Sequence, residues 1–260
     1  MEEAKALRQF HNDVKFQLLS KYCKNTPILL DIGCGRGGDI HKWNRLNIHS
    51  VTAIDINKAF ILEAIRRYNQ QAFPLNINYK FFYTYECNVF QDFFKMKDLP
   101  VHNTYDIVSC MFAFHYFWKN EFSLNKILQQ ISSSLKPGGY FIGVCPDGDI
   151  IHNLLSDYKS IKNNAVLINK KYQHTTKVIG NAIEFMLSGT LYFGENMISE
   201  EYLVYKDIFR ETCEKYGLKL IEFTEFSKYY EKQDKISMLQ DSKYASFLNM
   251  SFVFQKQLIT

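Results

Sequence analysis

The chain has 260 residues, 47% of them hydrophobic and 22% charged, with a formal net charge of +4. That length and balance predict a single domain, 1–260, with a sizeable core, and exclude a disordered or strongly acidic chain. The mild positive charge permits an RNA or polyphosphate partner without requiring one.

In chain order, residues 2–22 place Leu7, Phe10, Val14, Leu18 and Leu19 at helical spacing. An apolar strand over 28–32 runs into the glycine-rich segment Gly33-Cys34-Gly35-Arg36-Gly37-Gly38-Asp39, and a helix follows near 37–45. A second strand, 51–55, ends on Asp55, and Asn57 is placed to cap a helix reaching about Asn69. Strands are expected at 79–85 and 105–111, then a helix through Leu124, Ile127, Leu128, Ile131 and Leu135, stopped by Pro137-Gly138-Gly139. A fifth strand is expected at 140–145. Residues 160–200 break this rhythm and read as an inserted hairpin lid, entered by a basic loop at Lys170-Lys171-Tyr172. A helix at about 201–216 and strands at about 218–224 and 247–255 complete the chain. The β-α alternation predicts an α/β fold, a doubly wound and mostly parallel sheet with an antiparallel C-terminal end, holding ligands at the strand C-termini.

The six cysteines are scattered, with no C-x-x-C pair, which predicts packed, reduced thiols and no metal site. The first residues carry mixed charge, and no apolar run reaches membrane-spanning length, so a soluble, cytoplasmic protein with no membrane partner is expected. Most of the 17 Tyr and 22 Phe are expected in the core.

The glycine loop carries the strongest functional signal. Glycine is required where the backbone must adopt left-handed φ or pass close to a ligand. Gly33, Gly35 and Gly38 satisfy the G-x-G-x-x-G spacing of dinucleotide folds, a weak signal taken alone. Asp31 separates the two cofactor classes. A carboxylate two residues before the first glycine is poorly placed against a pyrophosphate, but it suits the cationic methionine end of S-adenosylmethionine (SAM). Asp55 stands where an acid holds ribose hydroxyls in either class.

At Phe112-Ala113-Phe114-His115-Tyr116 the chain begins to resemble the mRNA cap guanine-N7 methyltransferases. Phe10-His11-Asn12-Asp13-Val14-Lys15 resembles their F-x-N-x-x-K helix, and Asp31 to Lys42 their D-x-G-C-G-[KR]-G-G-D-[LI] loop. Arg66-Arg67-Tyr68, Lys136-Pro137-Gly138-Gly139 and Glu201-Tyr202-Leu203-Val204 match further motifs in order. The short N-terminus resembles the methyltransferase domain of capping enzymes of large cytoplasmic DNA viruses, of the African swine fever virus type. That implies a C-terminal domain of a longer polypeptide, with guanylyltransferase and triphosphatase domains fused or associated. The family resemblance implies a class I SAM-dependent methyltransferase fold with a seven-stranded sheet, S-adenosylhomocysteine as product, and capped RNA as partner.

Carried over residue by residue, the resemblance implies a SAM site of Lys15, Asp31, Gly33, Gly35, Asp55 and Phe112. Glu86 or Asn88 takes the adenine contact, and the choice between them stays open. The cap side would comprise Asn12, Arg36, Asp39, Arg67, His115, Tyr116 and Glu201, with Asn249 where the family has a cap-contacting tyrosine; Met111 replaces a usual glutamine. Guanine N7 offers a lone pair near neutral pH, so no residue is expected to transfer a proton. His115, Tyr116 and Glu201 are expected to position the base, and Asp39 to orient Arg36 towards the triphosphate bridge.

Overall fold

The computed structural model describes residues 2–25, 27–70, 78–83, 102–188 and 198–258. Helix α1 (Glu2–Tyr22) forms where apolar residues recur every three or four positions, burying Leu7, Phe10, Val14 and Leu18. Strand β1 (Ile28–Ile32) leads through the glycine loop to α2 (Ile40–Arg45), and β2 (Ser50–Asp55) leads to α3 (Lys58–Asn69). Asn57 caps α3 as expected, its side-chain oxygen accepting from the Ala59 and Phe60 amides at 2.9 and 3.3 Å. After β3 (Asn78–Tyr83) come β4 (Tyr105–Met111), a 3-10 turn (Phe114–Lys119), α4 (Glu121–Ser134), β5 (Leu135–Pro146) and α5 (Gly148–Leu154). Strand β5 begins earlier than the proline and glycines suggested. Its first residues sit beside a register irregularity between Tyr105 and Ile107, where a missing N–H is tolerated.

Past the inserted segment lie α6 (Lys206–Glu214), β10 (Leu218–Glu225), α7 (Phe226–Glu231), α8 (Gln240–Phe247) and β11 (Asn249–Lys256). The main sheet has seven strands in the order β10-β11-β5-β4-β1-β2-β3. Strand β11 is antiparallel to both β5 and β10, so the remaining strands all run one way. Strands β1, β2 and β4 are buried almost throughout, as sheets covered on both faces require. The phenylalanines justify their number here: Phe114 stacks on Phe209 at 4.6 Å, and Phe209 meets Phe252 and Phe254 at 5.0 and 4.7 Å.

The inserted segment is larger than a hairpin. Strands β6 (Ser160–Lys162), β7 (Val166–Lys170), β8 (Ala182–Leu187) and β9 (Ser199–Tyr202) form a separate antiparallel sheet. Of the basic stretch expected to be a loop, Lys170 ends β7, Lys171 lies outside it, and Tyr172 is buried just beyond. The strand is short and ends on the polar pair Asn169-Lys170, which disguised it; only one of its faces, with Val166 and Ile168, is buried. Glu201, expected to open a helix, lies within β9, and the helix starts only at Lys206.

Both ends of the small sheet are fastened to the main body. In the β6–β7 turn, Asn164 donates its backbone N–H and side-chain amide to Asp241 of α8, at 3.2 and 2.7 Å. At the other end, His152 of α5 meets the hydroxyls of Tyr172 and Tyr205 at 3.0 and 3.1 Å, and Asn181 donates to Tyr205 at 2.7 Å. The Gly148 N–H donates to the Val204 carbonyl at 2.9 Å, an approach that a Cβ at Gly148 would block.

Candidate functional site

The C-terminal ends of β1, β2 and β4 meet at one edge of the main sheet. Parallel register sets Asp31 beside Ser109, and the Ser109 hydroxyl donates to the Asp31 carboxylate at 2.5 Å. Asp31 is 2% exposed. Burial, followed by the nearby Asp39 carboxylate, pushes its carboxyl up to about 8, while Ser109 and Lys15 offset only part of that. An acid left short of positive charge at a strand tip is the donor set that a sulfonium or ammonium group satisfies. The residues present therefore fit SAM.

The loop beyond Asp31 turns through Gly33, Gly35 and Gly37 at φ of +73°, +54° and +72°, a region in which a Cβ is strained. Gly33 has a second constraint, since a Cβ there would lie 2.5 Å from the Cβ of Ala113, in the turn after β4. Gly33→Ala is therefore expected to destabilise the fold by about 2–5 kcal/mol, combining backbone strain with overpacking. A urea midpoint equal to that of the parent would contradict this. Asp55 closes the loop from below, accepting the Gly35 and Asn57 amides at 2.8 Å each. Burial raises its carboxyl against these bonds. On the far side Phe112 takes a left-handed φ of +58° and stacks on His11 at 5.2 Å. A strained non-glycine residue at a strand tip is the kind of conformation that functional sites hold in place.

Asp39 is organised differently from expectation. Lys15 and Lys42 grip it at 2.8 and 2.7 Å, and Lys42, 1% exposed, also donates to the Asn12 side-chain oxygen at 2.8 Å. Burial opposes ionisation of Asp39, but the two lysines outweigh it and hold the carboxyl well below the usual range. Asp39 thus ties α1 to the glycine loop and does not orient Arg36, whose guanidinium lies over the Phe60 ring at 4.9 Å. Arg67 is half-exposed on α3 and pairs with Glu63 at 2.7 Å.

Above the β4 tip, the 3-10 turn carries His115 and Tyr116 against β9. Glu201 is 4% exposed, and one carboxylate oxygen lies 3.5 Å from His115 Nε2. Its other oxygen accepts from the Ser199 hydroxyl at 2.9 Å. Burial raises Glu201 to about 7, with Ser199 opposing, and burial lowers His115 to about 3. His115 is therefore neutral at neutral pH, and neither of its ring nitrogens has a hydrogen-bond partner among the described residues. In its ionised form the Glu201 carboxylate can receive two donors, and the neutral imidazole beside it offers one more polar contact.

Asn249 opens β11 next to the end of α8. Its side-chain amide is buried and donates to the Ala245 and Ser246 carbonyls at 3.2 and 3.0 Å, closing the end of α8. Glu86 and Asn88 lie outside the described residues. Three side chains had been passed over as site residues. Ser109 is the one polar residue in the Ile107–Met111 run, and register against β1 would have matched it to Asp31. Lys42 gave no signal separable from a helix-surface lysine. Ser199 falls at the end of the 160–200 segment, where nothing local marks it.

Comparisons with known proteins agree with this geometry. The chain is 27% identical to mRNA cap guanine-N(7) methyltransferase 1 of Arabidopsis thaliana, over 96% of this chain and 75% of that one. It is 30% identical to the mRNA cap guanine-N(7) methyltransferase of Saccharomyces cerevisiae, over 87% of this chain and 54% of that one. A probable mRNA-capping enzyme of Acanthamoeba polyphaga mimivirus is 31% identical over 88% of this chain, which spans only 23% of that protein. Among solved structures, the CcbJ methyltransferase from Streptomyces caelestis superposes with a TM-score of 0.61 at 13% identity, covering 94% of this chain and 88% of that one. A SAM-dependent methyltransferase from Clostridium acetobutylicum superposes at 0.56, also at 13% identity, covering 97% and 92%. Those two likenesses bear on the fold, which is that of a class I SAM-dependent methyltransferase. A family model for the mRNA (guanine-N(7))-methyltransferase domain matches residues 3–256, and the chain belongs to that family.

Proposed function

We infer that the chain transfers a methyl group from SAM to N7 of the guanine that caps an mRNA. The observation that carries this reading is the buried Glu201 carboxylate, set beside a neutral His115 at the strand edge that also holds Asp31. When bound, SAM supplies an electrophilic methyl on a good leaving group. The protein's part is alignment and electrostatic preorganisation.

In this reading Asp31 and Lys15 hold the charged methionine end, while Gly33 and Gly35 let the backbone approach. Asp55 takes the ribose hydroxyls, and Phe112 packs beside the ligand. Glu201 accepts the guanine N1–H and N2–H donors, which an adenine does not present in that arrangement. His115 and Tyr116 hold the base edge and face. Arg36, Arg67 and Asn12 are assigned to the triphosphate and ribose. No residue needs to move a proton, because N7 reacts through a lone pair.

Residues 1–260 are proposed to act as one methyltransferase domain on capped RNA, in the cytoplasm. They would operate beside guanylyltransferase and triphosphatase activities carried on the same or an associated chain. No helix among the described residues is long and apolar enough to cross a membrane. Incubation with labelled SAM and GpppA, followed by nuclease digestion, is expected to yield 7-methylguanosine. Label recovered only at another position, or none, rejects the assignment.

A further inference from the structure

Among the described residues, Glu201 receives one side-chain hydrogen bond, from the Ser199 hydroxyl. On β9 the residues two apart share a face: Ser199 pairs with Phe185 and Glu201 with Ile183 across β8, so both project from the same side of the small sheet. The Ser199 hydroxyl has a single hydrogen and two acceptors in reach, Glu201 Oε1 at 2.9 Å and the Phe185 carbonyl at 3.2 Å. An ionised carboxylate is much the stronger acceptor.

We propose that Ser199 is a positioning residue for guanine recognition: its hydroxyl fixes the rotation of the Glu201 carboxylate and favours its ionised form, without itself touching the substrate. This rests on the assignment of Glu201 to the guanine donors. With Oε1 anchored by Ser199 and Oε2 near His115, the carboxylate plane is set before substrate arrives, which lowers the cost of ordering it on binding. Other groups around Glu201 supply little charge. His115 and Tyr116 face it from the 3-10 turn, Ile183 faces it from β8, and the acids Glu184 and Glu200 pair with each other on the opposite face. Loss of the Ser199 hydrogen bond therefore leaves burial unopposed, and Glu201 becomes protonated at a higher pH.

The test is steady-state methylation of GpppA from pH 6 to 9 by the parent, Ser199→Ala, Ser199→Thr, Glu201→Gln and the Ser199→Ala/Glu201→Gln double variant. Ser199→Ala is expected to raise KM for GpppA about tenfold at pH 7, the loss of roughly one hydrogen bond to a charged group. It should also move the acid limb of kcat/KM upward by roughly one pH unit. Affinity for SAM should stay within about twofold of the parent, since Ser199 lies on the other sheet. Ser199→Thr restores both values, and Ser199→Ala adds no further loss in the Glu201→Gln background. An unchanged KM and acid limb in Ser199→Ala, where Glu201→Gln does raise KM, overturns the role of Ser199 alone. If Glu201→Gln itself leaves KM unchanged, the guanine assignment falls and takes this inference with it.

Discussion

Asp31→Asn is expected to lower SAM affinity roughly a hundredfold, about 3 kcal/mol, by removing the negative charge assigned to the ligand's cationic end. The fold should survive, because an amide has nearly the shape of the protonated acid and can still pair with the Ser109 hydroxyl. The pH dependence separates this from a packing defect. Between the ordinary carboxyl value and about 8, the folded chain keeps a proton on Asp31 that the unfolded chain has released. Stability from this group is therefore full at acid pH and is lost as pH rises through the folded value. Asparagine has no such proton, so the melting temperature of the variant should gain on the parent as pH climbs from 6 to 8.5. SAM reverses the parent's deficit, since binding a cation favours the carboxylate. Calorimetry in buffers of differing ionisation enthalpy should accordingly show proton release on binding below pH 8. Parallel melting curves across this range, or SAM affinity within a few fold of the parent, would remove Asp31 from its assigned place.

The same residue shows what sequence can and cannot convey. The strand-to-glycine sequence around Asp31 encodes its own geometry: an apolar run must be a covered strand, and closely spaced glycines permit the left-handed turn. Those elements were legible to within a residue or two. Long-range pairing was not. Nothing local says that Lys42 reaches Asn12 and Asp39, because a lysine four residues after a glycine has many solvated alternatives. The small sheet was obscured for a related reason. Its strands are short and run into lysines and asparagines, as at Asn169 and Lys170, which imitate a loop. Glu201 moved from helix to strand in consequence, and that changes its chemistry. At a helix start it would be a solvated charge near the usual carboxyl range. Facing inward from β9 it is buried and raised to about 7. Asn249 shows the same limit: its side-chain amide nitrogen donates to carbonyls at the end of α8, a pairing that no local signal announces.

Glu201→Gln should lower kcat/KM for GpppA by roughly two to three orders of magnitude while leaving SAM affinity within about twofold. The size follows from polarity rather than volume: a glutamine turns an amide N–H₂ towards one of the two guanine donors, so a matched pair becomes an opposed one. Part of the loss should fall in kcat. Methylation at N7 gives the purine a positive charge, and a carboxylate against its N1–H and N2–H edge stabilises that developing charge in a way that a neutral amide does not. An inosine-capped substrate, which lacks the N2 amine, distinguishes this from a general disturbance of the pocket. The parent enzyme should use IpppA less well than GpppA, having lost one donor to Glu201. The variant should discriminate much less, because the contact that read the amine is already gone. Equal penalties for the two caps in parent and variant would mean that Glu201 does not read that edge of the base. The carboxylate over the β4 tip would then be no more than a buried acid beside His115.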